Sequence, residues 1–230
     1  MNISKFGIHY KSFRSVRRLW NGYRKKTKKQ RQFTNMIDQL IEYDSAALRY
    51  LNGLHAPWLD PIMLILSQRI IWLPLYIFLL YLVIKEYKKE SWIILLGIGL
   101  TILLADQVTS SIMKPYFARF RPSHEPSLEG LIHIVEGYKG GKFGFASSHA
   151  ANTFGAATFF FLLFRNTKKL IIWLFVWAAL VSYTRIYLGV HYPGDILVGA
   201  LIGVLAGLAG YKLSSWIVDW YDKKKTPAPG

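Results

Sequence analysis

Residues 71–104 read Ile71-Trp-Leu-Pro-Leu-Tyr-Ile-Phe-Leu-Leu-Tyr-Leu-Val-Ile84, then Lys-Glu-Tyr-Lys-Lys-Glu90, then Ser-Trp92-Ile-Ile-Leu-Leu-Gly-Ile-Gly-Leu-Thr-Ile-Leu-Leu104. Two apolar runs flank one short charged connector. Neither run alternates polar with apolar residues, so neither suits a barrel strand, one face of which looks into a polar lumen. Further out, apolar runs recur at Thr153 to Phe164, Leu170 to Leu188 and Ile196 to Val218. Crossing a hydrocarbon core as helix takes about 20 residues, so the shorter runs must borrow flanking residues. In lipid every backbone N–H and C=O must be paired within its own segment or in a closed barrel, which leaves helices. The expected fold class is therefore all-α: a polytopic membrane helical bundle with five or six transmembrane helices. The composition agrees, with 52% apolar, 16% aromatic and 18% charged residues in 230.

If five runs alternate across the membrane, the connectors at Lys85–Glu90 and Arg165–Lys169 and the lysines after Asp222 all fall on one side. That side is cytoplasmic by the positive-inside rule. The long connector from about Lys114 to Phe145 and the short one from Gly189 to Gly194 then lie on the outer face. Five spans also put the N-terminus outside, against the same rule. A sixth crossing or a re-entrant turn around Pro57 to Arg69 would repair this, although Asp60, Gln68 and Arg69 make a poor span.

The net charge of +16 invites a nucleic-acid reading until its location is examined. Eleven of the 29 basic residues fall in Met1 to Phe33, which contains no acid, leaving 18 basic against 13 acidic residues beyond. The excess belongs to an appendage, residues 1–35, read as an interfacial arm on anionic headgroups or as a disordered tail; no nucleic-acid partner is expected. Residues 36–70 read as an amphipathic or re-entrant segment, and residues 221–230 as a basic cytoplasmic tail. The chain contains no cysteine, which removes disulfide and thiolate-metal readings. No apolar run follows the first charges as in a cleavable signal, so the first spanning helix is expected to direct insertion.

Chemistry-bearing residues collect in three clusters at the ends of apolar runs: Lys114-Pro-Tyr-Phe-Ala-Arg119-Phe-Arg121-Pro122, Ala146-Ser147-Ser148-His149, and Thr184-Arg185 followed by His191 and Asp195. Together they supply cations for phosphate oxygens, a nucleophile, a second histidine and an orienting carboxylate, the requirements of phosphoryl transfer through histidine. His191 and Asp195 stand one helical turn apart if Pro193 opens the last helix. The Ser147–His149 amides lie where an apolar helix begins, a position that favours anions and also suits an N-cap pair.

These clusters resemble the three signature motifs of the type 2 phosphatidic acid phosphatase superfamily, Lys-x6-Arg-Pro, Pro-Ser-Gly-His and Ser-Arg-x5-His-x3-Asp. Three positions depart from them: Ala146 replaces proline, Ser148 glycine and Thr184 serine. None removes a titratable group. The resemblance covers roughly the second half of the chain and implies a catalytic membrane domain over residues 71–220. It implies His191 as nucleophile, Asp195 as its partner, and Lys114, Arg121, Ser147, Ser148 and Arg185 as phosphate ligands. His149 is the implied general acid, and afterwards the base that activates water. Neither a metal nor a cofactor is implied. The implied partners are a lipid phosphate and the membrane; the implied place is the bacterial cytoplasmic membrane with the site facing the periplasm. Among substrates, Arg121-Pro-Ser-His-Glu-Pro126 leans towards a lipid A phosphate over undecaprenyl diphosphate or phosphatidylglycerol phosphate. Oligomeric state is unknown.

Other residues are read more plainly. Arg119 is no motif position and is expected at the interface. Asp106 and Gln107 end a span, where an acid either serves the site or pairs near the interface. His124, Glu125, His133 and Glu136 follow no metal-ligand spacing. Gly137 to Gly144 give the long connector joints for a substrate cover, and Gly199, Gly203, Gly207 and Gly210 form a close-packing helix face. Two other classes of protein keep part of this pattern. A vanadium-dependent haloperoxidase uses the same constellation but as a family is soluble; a non-catalytic lipid-binding protein has no use for both His149 and His191.

Overall fold

A computed structural model of the chain describes residues 28–225. The N-terminal arm up to residue 27 and the last five residues of the tail lie outside the described residues. The helices are α1 (Lys28–Asn52), α2 (Asp60–Leu66), α3 (Leu73–Tyr87), α4 (Ser91–Asp106), α5 (Lys114–Phe117), α6 (Ser148–Phe164), α7 (Trp173–Tyr187) and α8 (Pro193–Lys225). A π-helical segment, Gln107–Met113, joins α4 to α5. Each of the five apolar runs falls on one helix: α3, α4, α6, α7 and α8. Among the described residues three stretches are long and apolar enough to cross a membrane: Ile70–Phe117, Lys169–Tyr187 and Pro193–Tyr221. The first of these is broken at Lys88 (φ 46°, ψ −110°), where the chain reverses and packs α4 back on α3. Residues 57–69 hold only the seven-residue α2, about 10 Å of helix and too short for a crossing.

The chain divides into two units at Tyr43/Asp44. In the first, the beginning of α1 exposes Phe33, Met36, Leu40 and Ile41 beside its charges. The second, from Asp44 on, has a core of Leu79, Val83, Ile94, Phe159, Phe164 and Trp177 contributed by α3, α4, α6 and α7. Outside that core, Leu197, Leu201 and Leu205 form an exposed stripe on α8, as expected of a surface solvated by lipid. Trp92 and Trp173 stand exposed near the lysine-bearing turns and Trp220 near the C-terminal end of α8, the usual station of tryptophan at a membrane–water boundary. Two of those turns meet directly, Lys168 Nζ lying 2.7 Å from Glu86 Oε2.

The tightest helix pair is α6 with α8, and its glycines explain it. A Cβ on Gly203 would overlap the Ala151 carbonyl oxygen, and Gly199 and Gly207 sit as close to the Ser147 and Gly155 carbonyls. Three of the four spaced glycines thus pack α8 on α6, while the fourth, Gly210, packs on α4 against Gly97 and Thr101. The α6–α8 contact holds the N-terminal ends of both helices side by side, Ser147 N donating to the Asp195 carbonyl at 3.0 Å.

Candidate active site

Four helix ends converge to build the site. Arg185 lies in the last turn of α7, whose C-cap is Leu188. Gly189 follows in the left-handed region (φ +67°), where a Cβ would stand 2.9 Å from the His133 carbonyl oxygen; both facts call for glycine. The reversed chain then returns the Val190 and His191 amides to the Arg185 carbonyl, at 3.0 and 3.2 Å. Pro193 opens α8, and Asp195 follows in its first turn. His191 Nδ1 thereby comes 3.2 Å from Asp195 Oδ2, and both side chains are buried.

A carboxylate only accepts, so the proton of a neutral imidazole here belongs on Nδ1 and the lone pair on Nε2. Burial, followed by the charges of Arg121, Arg185, Lys114 and Arg119, holds the pKa of His191 well below the usual histidine value. The ring is therefore neutral at physiological pH, as a nucleophile must be.

Three expected phosphate ligands lie within electrostatic reach of this ring. Arg185 is 1% exposed; one guanidinium nitrogen donates to the Tyr138 hydroxyl at 3.0 Å, while its buried Nε finds no partner among the described residues. Arg121 donates from Nε to the Phe143 carbonyl at 3.2 Å, and burial, then Arg185, lowers its pKa. Lys114 Nζ donates to Ser148 Oγ at 2.6 Å. Cations crowded into partly buried positions are costly unless an anion joins them, so the arrangement is built for one.

Ser147 and Ser148 divide the work at the start of α6. Ser147 is the N-cap, its Oγ accepting from Ala150 N at 3.4 Å. Sequence reasoning assigns Ser148 a role through its amide, but its hydroxyl is also engaged, with Thr109 at 3.0 Å and Ser110 at 2.8 Å besides Lys114. Thr109 and Ser110 belong to the π-helical segment, a helix irregularity that frequently marks functional sites. Asp106 accepts from Ser110 at 3.2 Å and so touches this network at its edge. His149 lies within electrostatic reach of Arg185, His191, Arg69 and Arg121.

Arg119 overturns its expectation. Instead of resting at the interface it donates to Asp195 Oδ1 at 3.0 Å and to Asp44 Oδ2 at 2.7 Å, with its guanidinium 3.8 Å from the centre of the Tyr192 ring. Asp44 Oδ1 in turn accepts from Gly194 N at 2.7 Å. Asp195 is thus held from one side by His191 and the Tyr192 amide and from the other by a cation that is itself anchored. Sequence reasoning missed Asp44 and Tyr138 altogether; neither lies at a telling distance from a motif.

The long connector folds back on itself rather than standing away from the site. Phe120 and Phe143 form an antiparallel bridge, and Gly144 N donates to the Arg119 carbonyl at 3.0 Å. A Cβ on Gly144 would lie 3.0 Å from Asp195 Oδ2 and 3.5 Å from His191 Nδ1, so glycine lets this strand of chain close over the pair. Its acids and histidines do not converge: His133 Nε2 pairs with Asp60 at 3.0 Å, while His124 reaches the Gly140 carbonyl. Among the described residues no three histidine or acidic side chains gather as for a metal ion.

The comparisons with known proteins follow the same residues. The model of the PAP2 superfamily matches residues 90–219. A lipid A 4'-phosphatase of Bacteroides thetaiotaomicron is 41% identical over 197 residues, covering 85% of this chain and 87% of the relative. One from Porphyromonas gingivalis is 39% identical over 180 residues, covering 77% and 75%. The crystal structure of Aquifex aeolicus LpxE superposes with a TM-score of 0.53 at 28% identity, over 72% of this chain and 92% of that one. Since the family match spans more than half the chain and takes in all three clusters, this multi-pass membrane protein belongs to the PAP2 superfamily and is a phosphatase of that type.

Proposed function

We propose that the chain removes the 4'-phosphate of lipid A, or of a closely similar acylated sugar phosphate, through a phosphohistidine on His191. One observation carries the chemistry: a buried imidazole held by Asp195 lies within electrostatic reach of Lys114, Arg121 and Arg185, none of which has an ion-pair partner within 4 Å among the described residues. The identity of about 40% to lipid A 4'-phosphatases, spread over most of both chains, supports the choice of substrate.

In this reading His191 Nε2 attacks phosphorus while Lys114, Arg121 and Arg185 hold the non-bridging oxygens. The P–N bond forms as the P–O bond to the sugar breaks. His149 protonates the departing alkoxide, then takes a proton from the water that cleaves the P–N bond, and free phosphate leaves. Asp195 keeps the Nδ1 proton in place throughout and stabilises the positive charge that forms on the ring. No step calls on a metal. By the connector charges, the site faces the periplasm from the cytoplasmic membrane.

The test is phosphate release by purified protein in detergent with EDTA present, over a panel of lipid A, undecaprenyl diphosphate and phosphatidylglycerol phosphate. Lipid A is expected to be the best substrate, and an acid-labile phosphoenzyme is expected in wild type but not in His191→Ala. His149→Ala should still form the phosphoenzyme from an ester with a good leaving group. Loss of activity in EDTA, or a phosphoenzyme in His191→Ala, would refute the mechanism.

A further inference from the structure

His149 also lines a cavity of about 400 Å³ between α3, α4, α6 and α7. Its walls are apolar: Leu79 and Val83 from α3, Ile98 from α4, Phe160 from α6 and Trp177 from α7. Three of its lining residues, Tyr76, Leu80 and Leu95, are more than a third exposed, which leaves an alkyl chain a way in from the lipid-facing surface. Nothing in the phosphoryl transfer as described uses this space.

Its position relative to the chemistry is informative. His149 lies within electrostatic reach of the nucleophile and of Arg185 and Arg121, and it also lines the cavity. An in-line transfer places the departing oxygen opposite the attacking nitrogen, on the side where the general acid stands. The group attached to that oxygen must therefore extend towards the cavity. Two polar atoms in the wall also need explaining. Asn152 Oδ1 and Trp177 Nε1 are both buried and neither has a hydrogen-bond partner among the described residues. In apolar surroundings such atoms are costly unless a ligand serves them, and between them they ask for one donor and one acceptor. An amide supplies both. A bare polyprenyl chain supplies neither.

We propose that this cavity is the subsite for the departing alcohol, holding an acyl chain together with the amide that joins it to the headgroup. The amide N–H meets Asn152 and its carbonyl meets Trp177, while Arg69 and Gln68, which also line the cavity, lie towards the polar part of the headgroup. This deepens the phosphatase reading and rests on it. It gives the site a reason to distinguish N-acylated sugar phosphates from polyprenyl phosphates that the phosphate ligands cannot supply, since those see the same group in both.

The probe is a glucosamine phosphate carrying a photoactivatable diazirine in its N-acyl chain, bound to full-length His191→Ala protein in detergent. Irradiation and peptide mapping should place the label on α3, α4 and α7 at the cavity wall, and Ala156→Phe, which adds a ring inside the cavity, should abolish that labelling. In parallel, kcat/KM is measured for the N-acylated ester and for a polyprenyl phosphate. Asn152→Leu should lower the ratio of the two about tenfold, the effect of one lost buried hydrogen bond. Label confined to the outward leucines of α8, or an unchanged ratio, with phosphate release intact, would overturn the subsite alone. No phosphate release from any ester by wild type would overturn the phosphatase reading and this assignment with it.

Discussion

Replacing Arg119 by alanine removes one guanidinium from between two carboxylates, at 3.0 Å from Asp195 Oδ1 and 2.7 Å from Asp44 Oδ2. Asp195 is fully buried and keeps its contacts with His191 and the Tyr192 amide, so it is weakened in its place rather than orphaned. A hydrogen bond to a charged group is worth about 1.5–3 kcal/mol. Arg119 is 26% exposed, so some of that is screened, and about 2 kcal/mol is a fair figure for the loss of orientation at His191. If the loss falls on the transition state, kcat drops roughly thirtyfold. Asp44→Asn keeps one acceptor for Arg119 and should cost less, about fivefold, or roughly 1 kcal/mol. Because Asp44 acts on Asp195 largely through Arg119, the double variant should be no worse than Arg119→Ala by more than about twofold. Arg119→Lys should recover only part of the rate, since an ammonium lacks the planar fork that spans both acids. The measurement is single-turnover formation of the phosphoenzyme, with KM read separately and folding checked by thermal melting. A rate within twofold of wild type in well-folded Arg119→Ala, or a change confined to KM, would refute the view that this arginine orients the nucleophile through Asp195.

The pKa of His191 lies below that of an unfolded histidine, so between the folded value and about 6.5 the unfolded chain binds the extra proton. Stability should therefore rise with pH up to about 6.5 and then flatten, and His191→Gln should remove part of that acid-side slope, read as melting temperature in anion-free detergent between about pH 5 and 7.5. Ser148→Ala removes the 2.6 Å partner of Lys114 while leaving the amide, and should raise the apparent dissociation constant for vanadate or phosphate about tenfold in equilibrium binding. Gly203→Val drives a side chain into the Ala151 carbonyl; a loss of about 1–3 kcal/mol is expected, seen as a lower melting temperature, together with lost activity as α6 and α8 part.

What could be read from the sequence was what is local. Each apolar run announced its helix because lipid leaves the backbone no other choice, and the glycines at 199, 203 and 207 announced a close contact by their spacing. His191 and Asp195 were legible as a pair because one turn of helix is all that separates them. Arg119 was misjudged because both its partners are remote, 75 and 76 positions away in the chain, and no periodicity carries such information. Tyr138 was hidden for the same reason, 47 positions from Arg185. The hydroxyl network around Ser148 depends on a π-helical segment, and a change of helical pitch leaves no mark on a pattern of apolar residues. The cavity beside His149 belongs to four helices at once, so it exists only when they are assembled.

Asp44 lies outside residues 90–219, the part of the chain that the family model recognises. The recognised part therefore does not contain its whole machinery: a chimera grafting it onto another relative's leading segment would inherit the histidines and lose the anchor of Arg119. Exchange of segments between relatives should succeed only when an acid at that place travels with the graft, or when the new leader happens to bring one.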